Sequence, residues 1–363
     1  MSKSLLFIPD ISGYTKFIQT TEVEHSQHVI SELLEVLVNA NTQELKLAEI
    51  EGDALFFYKE NEIPSQENLL AQIESMFTAF YSHLKMLEKN RICPCNACAT
   101  APNLELKIVA HSGNLQHIEV QGNRKPFGEQ VIEAHRLLKN SVDSDNYVLI
   151  SRALALDIQL SPSYSSKMYQ FRQGTDAYDG REIDYLYSII DTKDLKLRGF
   201  EAPNMVSMKK PPHIRIKKNY PVSAEELMEY ITNYSYRNHW TDGIDALEYT
   251  ENEVTRVGSE HCCVINGKRL NFTTVTKDVK EGSLIYGEHT TSPPIVDELY
   301  QFYVFTPITD TSCTLETEVY LKTKSPLKKL VLALLAKRLI KKNVDTALNG
   351  LLEFVKKISK DKD

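Results

Sequence analysis

The sequence predicts two α+β domains in one chain, the first of ferredoxin-like type and the second on the helix-grip plan. Three observations lead there. The 363 residues exceed what one ordinary core organises, and roughly 150 residues per domain gives two. Residues up to about 200 alternate strand-like and helix-like periods in a β-α-β-β-α-β order. Beyond Ser207, strand-like runs accumulate and end in one long amphipathic helical pattern.

In the first half, Leu5 to Ile8 reads as an apolar strand, and Val29, Leu33, Val36, Leu37 and Ala40 recur at helical spacing. Glu44 to Tyr58 reads as two strands folded back at Gly52-Asp53. Leu69, Leu70, Ile73, Phe77, Phe80, Leu84 and Leu87 form one face of a second helix. Strands over Leu104 to Ala110 and Leu115 to Val120 follow, then a helix through Val131, Ala134, Leu137 and Leu138.

Met208-Lys-Lys-Pro-Pro-His213 interrupts both periods, because two prolines continue neither a helix nor a central strand. The domains are therefore expected at 1–207 and 208–363. In the second, Ser223 with Glu226 three residues on is a capping-box start. Strands are expected over Leu270 to Thr276, Leu299 to Thr306 and Thr314 to Lys322, with a terminal helix from Pro326 to Ile358.

A net charge of -7 argues against a nucleic-acid partner, which needs a basic face. Neither a signal peptide nor a membrane span is expected, so the protein should be cytoplasmic with no integral membrane association. The six cysteines are clustered rather than spread as in a secreted disulfide framework.

Asp10-Ile-Ser-Gly-Tyr-Thr-Lys-Phe17 follows the first strand and Glu49-Ile-Glu-Gly-Asp53 turns a hairpin. Two carboxylates at neighbouring strand ends can share divalent cations, and the Ser12 to Thr15 turn offers backbone N–H groups to a phosphate. Either motif alone also reads as a turn former. With Ala110-His-Ser-Gly113 and Phe127-Gly-Glu-Gln-Val-Ile-Glu-Ala-His-Arg-Leu137, they resemble, in order and spacing, the class III nucleotide cyclase homology domain over about residues 3 to 200. Leu195-Lys-Leu-Arg-Gly-Phe-Glu-Ala-Pro203 is similar to that family's closing strand.

That resemblance implies a nucleoside triphosphate ligand, a homodimer, and two Mg2+ or Mn2+ ions on Asp10, Asp53 and the Ile11 carbonyl. It puts the transition-state arginine on Arg136, base-reading positions on Glu49 and Lys125, and the late lysine on Lys196 or Arg198. Ile132 stands where the family has a ribose-orienting asparagine. The implied activity is therefore cyclisation of a nucleotide, a nucleotide sensor without turnover, or a structural scaffold.

Cys93-Pro-Cys-Asn-Ala-Cys98 reads either as a tight loop of free thiols or as a structural zinc site, with His111 or His117 as fourth ligand. Ile214 to Leu227 and Asn238-His-Trp-Thr-Asp-Gly-Ile244 resemble the START-like superfamily (SRPBCC, polyketide cyclase-like), which implies a cavity for a small apolar ligand. Trp240, Phe272, Tyr286, Tyr300, Phe302 and Tyr303 are its expected lining or, equally, plain core. The terminal helix, with Lys328, Lys329, Lys337, Arg338, Lys341, Lys342, Lys356 and Lys357, reads as a lid with a solvated basic face or as an anionic-lipid contact. No nucleophile-base constellation stands out in this half. The combined expectation is a signalling or sensing protein or, alternatively, a non-catalytic binding protein with a dimerisation scaffold.

Overall fold

The computed structural model describes residues 2–362 apart from 179, 200–204, 242, 252, 266, 292, 294–295 and 324–336. It divides into two compact units, Met1–Met86 with Thr100–Phe200, and Leu87–Ala99 with Glu201–Asp363.

The first unit is built on a seven-stranded sheet. Its elements are β1 (Ser4–Ser12), α1 (Tyr14–Thr20), α2 (Val23–Asn39), β2 (Lys46–Glu51), β3 (Ala54–Lys59), α3 (Gln66–Asn90), α4 (Asn96–Thr100), β4 (Glu105–Gly113), β5 (Gln116–Val120), β6 (Asn123–Phe127), α5 (Glu129–Leu137), β7 (Tyr147–Ser151), α6 (Arg152–Asp157), β8 (Arg172–Tyr178) and β9 (Arg181–Ile189); α3 extends into the second unit, and α4 belongs to it up to Ala99. The sheet order β2-β3-β1-β4-β7-β9-β8 contains the antiparallel β2-β3-β1-β4 block of a ferredoxin-like fold. Strand β1 lies in its middle, with Leu5, Leu6, Phe7, Ile8 and Ile11 fully buried, as a strand covered on both faces requires. The ladder from β1 to β3 pairs Phe7 with Phe57 and resumes at Asp10, opposite Ala54. Proline supplies no N–H at that step. Of the expected closing strand, residues 195–199 are irregular, and 200–203 lie outside the described residues.

The second unit adds β10 (Ile214–Tyr220), α7 (Ala224–Thr232), α8 (Arg237–Trp240), β11 (Ala246–Tyr249), β12 (Glu260–Ile265), β13 (Lys268–Val275), β14 (Leu284–Thr290), β15 (Glu298–Thr309), β16 (Ser312–Lys322) and α9 (Lys337–Lys362). The strands form one antiparallel sheet in the order β10-β16-β15-β14-β13-β12-β11. Ser223 caps α7 by accepting the Glu226 N–H at 3.0 Å. Helix α9 buries Val344, Leu348, Leu351 and Val355 in the core, while Lys337, Lys341, Lys342, Lys356 and Lys357 are exposed, an apolar stripe with a solvated opposite face. Lys328 and Lys329 lie outside the described residues. At Gly350 the helix passes against Trp240, where an added methyl carbon would lie 2.4 Å from the Trp240 carbonyl oxygen. No helix among the described residues is long and apolar enough to cross a membrane.

Candidate active site

Asp10 and Asp53 are brought together by the central ladder. Asp10 is the one half-buried residue in the buried run of β1, and the Ile11 N–H donates to the Asp53 carbonyl at 3.0 Å. Gly52 holds a left-handed φ of 71° at the β2–β3 turn, a conformation that glycine adopts without strain. The register of β1 with β4 sets Lys107 opposite Asp10, and its Nζ lies 3.5 Å from Asp10 Oδ1. Lys107 was not among the residues expected from the sequence. Its visible signal is one cation inside the otherwise apolar run Leu106-Lys-Ile-Val-Ala110.

Burial pushes the Asp10 carboxyl up to about 6, with the neighbouring charges of Asp53 and Asp145 adding to it and Lys107 opposing it. Asp53 is also raised, chiefly by burial, and Glu105 is raised by burial and by Asp145. Several carboxylates crowd the same sheet end with one lysine among them. Such a site favours an added cation, so the residues present fit the divalent ions that the cyclase resemblance implies.

The ionised Asp10 therefore weakens the metal-free fold. Its folded-state value lies above the ordinary 3.8, so the folded carboxyl holds its proton more tightly, and stability falls as pH rises through about 6. Asp10→Asn, which mimics the protonated form, should stabilise the chelator-treated protein at pH 8 by on the order of 2 kcal/mol and have little effect at pH 4. Urea unfolding by far-ultraviolet circular dichroism, compared at the two pH values, measures this. An equal effect at both would contradict the electrostatic origin.

Helix α5 brings Arg136 to the same place. His135 Nε2 pairs with Glu51 Oε1 at 3.0 Å, and its ring meets Phe56 edge-on at 5.1 Å, so the helix is tied to β2 and β3. A cleft of about 660 Å³ is lined by Asp10, Lys107, Ile132, His135, Arg136 and Lys139 among others. A neighbouring cleft of about 230 Å³ is lined by Ile132, Arg136 and Arg152. Ile132 is 55% exposed, an apolar side chain at the mouth of a charged cleft. Lys196 and Arg198 do not line either cleft, and the Arg198 N–H donates to Ser82 Oγ at 2.8 Å.

Glu49 and Lys125, the two positions expected to read a base, meet as an ion pair at 3.0 Å. Ser12 Oγ is buried without a hydrogen-bond partner, whereas Thr15 is exposed. The motif around His111 is structural: His111 bonds Ser151 Oγ at 2.8 Å and Gln130 Oε1 at 2.9 Å, and Ser112 donates to Asp157 at 2.6 Å. His117 contacts Arg124 at 3.1 Å and Glu60 at 3.7 Å. The expectation that His111 or His117 completes a cysteine site is corrected: among the described residues, neither belongs to the group of ligand atoms that converges with the three cysteines.

In the second unit the six aromatic residues fall into separate groups. Trp240, Tyr286 and Tyr303 belong to the core under α9, and Phe272 stacks on His261 at 5.1 Å. Tyr300 and Phe302 form a separate cluster with Val275 and Tyr320. A cleft of about 840 Å³ is lined by Met208, Lys209, Lys210, His213, Tyr320 and Lys337 among others, and by none of those six. The core instead contains a polar group that sequence reasoning missed. Arg237 and Glu288 form a buried ion pair. Tyr286 donates to Glu288 at 2.9 Å, and His261 Nε2 lies 3.6 Å from it.

Fold and site together define a mixed α+β protein with a charged cleft in which Asp10 lies among Lys107, Arg136 and Lys139. A family described as a protein of unknown function (DUF2652) matches residues 30–147. The uncharacterized protein Rv2561/Rv2562 of Mycobacterium tuberculosis (strain ATCC 25618 / H37Rv) is 32% identical over 129 residues, 35% of this chain, and the chain spans 58% of that relative's length. Among solved structures, the chain is similar to the adenylyl cyclase CyaB from P. aeruginosa, at 17% identity and a TM-score of 0.39, covering 53% of this chain and 96% of that one. It is also similar to the guanylyl cyclase Cya2, at 14% identity and a TM-score of 0.38, covering 54% and 97%. A third is the guanylate cyclase domain of RhGC from Catenaria anguillulae in complex with GTP, at 12% identity and a TM-score of 0.37, covering 52% and 97%.

Proposed function

We propose that the protein is a nucleotide-responsive sensor, with a metal-dependent nucleoside triphosphate site of the class III cyclase kind in residues 1–207 and a START-like helix-grip domain for an apolar ligand in residues 208–363. The observation that carries the first half is the juxtaposition of Asp10 and Asp53, with Asp10 and Arg136 lining one cleft. Two Mg2+ or Mn2+ ions on Asp10, Asp53 and the Ile11 carbonyl would offset the triphosphate charge and acidify the ribose 3'-hydroxyl. Arg136 and Lys139 supply cations to the phosphates from the opposite wall. Ile132 offers no hydrogen bond to the ribose, so cyclisation is slow. Leu47, Ile50, Ile118, Val120, Phe127 and Ile132 are large apolar side chains left exposed in this domain, which supports a homodimer.

The test is incubation of the full-length protein with ATP, GTP, CTP or UTP and either metal, with mass spectrometry for 3',5'-cyclic products. The expected result is metal-dependent binding, slow product formation abolished by Arg136→Ala, and faster turnover in Ile132→Asn. Absence of metal-dependent binding to all four nucleotides sinks the proposal. The second reading, a dimerisation scaffold joined to a ligand-binding domain, is favoured by Lys107, which already sets a cation against Asp10. Lipid extraction and native mass spectrometry of the full chain test the apolar ligand, and no co-purifying or displaceable apolar compound would remove that half of the reading.

A further inference from the structure

The loop between α3 and β4 gathers three thiols. The Sγ atoms of Cys93, Cys95 and Cys98 lie within 4.8 Å of one another. None of the three is in a disulfide, and Cys98 is buried while the other two are half-buried. The local backbone explains the convergence. Pro94 restricts the turn between the first two cysteines. The Ala99 N–H then donates to the Cys95 carbonyl at 3.0 Å and starts α4, which carries Cys98 back over the loop. Ala97 and Ala101 are fully buried on either side, anchoring this short helix. The Cys98 N–H points at Cys95 Sγ at 3.4 Å, the type of backbone contact that stabilises a ligating thiolate.

We propose that Cys93, Cys95 and Cys98 hold one tetrahedral zinc ion through three thiolates, with an imidazole or water in the fourth position. Zinc is favoured over an iron–sulfur cluster, which takes four cysteine thiolates in its common forms. The remaining cysteines, Cys262, Cys263 and Cys313, are buried on β12 and β16 and are not part of the convergent group. The bound ion would clip residues 93 to 98 into one rigid turn beside Ile92, which packs against the core of the second unit. This inference is independent of the nucleotide reading.

The test uses full-length protein purified without a histidine tag. Elemental analysis is expected to find about one zinc per chain, and titration with an organomercurial should release it to a chromogenic chelator as about three thiols react. Replacement by Co2+ should give the intense visible bands and thiolate-to-metal charge transfer of a tetrahedral site. Cys95→Ser and Cys98→Ser should each lower zinc content at least tenfold, whereas Cys313→Ser should leave it unchanged. The mercurial titration needs no variant, so poor folding of a serine variant does not blunt the test. Three titratable thiols with substoichiometric zinc and no cobalt spectrum, or a Cys95–Cys98 disulfide in freshly purified protein, would overturn the proposal.

Discussion

Asp10→Asn and Asp53→Asn are each expected to weaken metal-dependent nucleotide binding by on the order of a hundredfold. A dication touching a carboxylate gains about 3 kcal/mol even at the dielectric constant of water, and each substitution removes one such contact without changing side-chain size. Because burial holds the Asp10 proton up to about 6, affinity in the unsubstituted protein should fall as pH drops through that value. The carboxylate is the binding form, so the sign is a gain toward alkaline pH. Lys107→Met should act in the opposite direction, tightening dication binding at pH 8 by removing the cation 3.5 Å from Asp10. Isothermal titration with Mn2+ and a non-hydrolysable triphosphate, repeated at pH 5.5, 7 and 8, measures all three variants. If Asp10→Asn binds as tightly as the parent at pH 8, the carboxylates do not hold the metal.

These carboxylates were legible because each sits in a local motif. Asp10 follows the apolar run Leu5 to Ile8 in one strand and Asp53 turns a hairpin, and both signals lie within a few neighbouring residues. Lys107 was not legible in the same way, because its meaning comes from the β1–β4 register, a pairing between distant segments. The Glu49–Lys125 pair likewise depends on where the β5–β6 ribbon lies.

In the second unit, strand positions were readable but faces were not weighed. Side chains alternate along a strand, so Tyr300 and Phe302 on β15 share one face, and Tyr303 and Phe305 take the other. Grouping Phe302 with Tyr286 in one pocket ignored that parity. Register explains the partners as well: Tyr300 lies opposite His289 and stacks on it at 4.1 Å. Arg237 was hidden for another reason. Its neighbour Trp240 attracted the sequence reading, and an arginine in a short polar run ordinarily signals surface rather than core.

That arginine carries the largest stability effect expected in the protein. Arg237 and Glu288 are both nearly inaccessible to solvent, and the guanidinium also lies over the Trp240 ring at 5.1 Å. Burial would raise the Glu288 carboxyl, yet Arg237, followed by His261 and Tyr286, holds it below the usual range. Glu288→Gln leaves a buried guanidinium without its counter-charge and should cost about 3–5 kcal/mol. Arg237→Met strands the carboxylate and should cost a similar amount. The double variant Arg237→Met with Glu288→Leu removes both charges and should recover most of the loss, because a buried pair contributes little beyond what apolar packing supplies. Trp240 is the single tryptophan of the chain, so its fluorescence during urea unfolding reports the second unit alone. Acid should weaken the parent in the same assay. Burial pushes His261 down to about 4, so its neutral form contributes stability above the ordinary 6.5 that is lost as pH falls toward 4. Glu288, with a depressed value, adds stability above its unfolded range that disappears at still lower pH. A double variant no more stable than Glu288→Gln would show that the pair is needed for the packing of this core, and not only that its breakage leaves a charge exposed to an apolar interior.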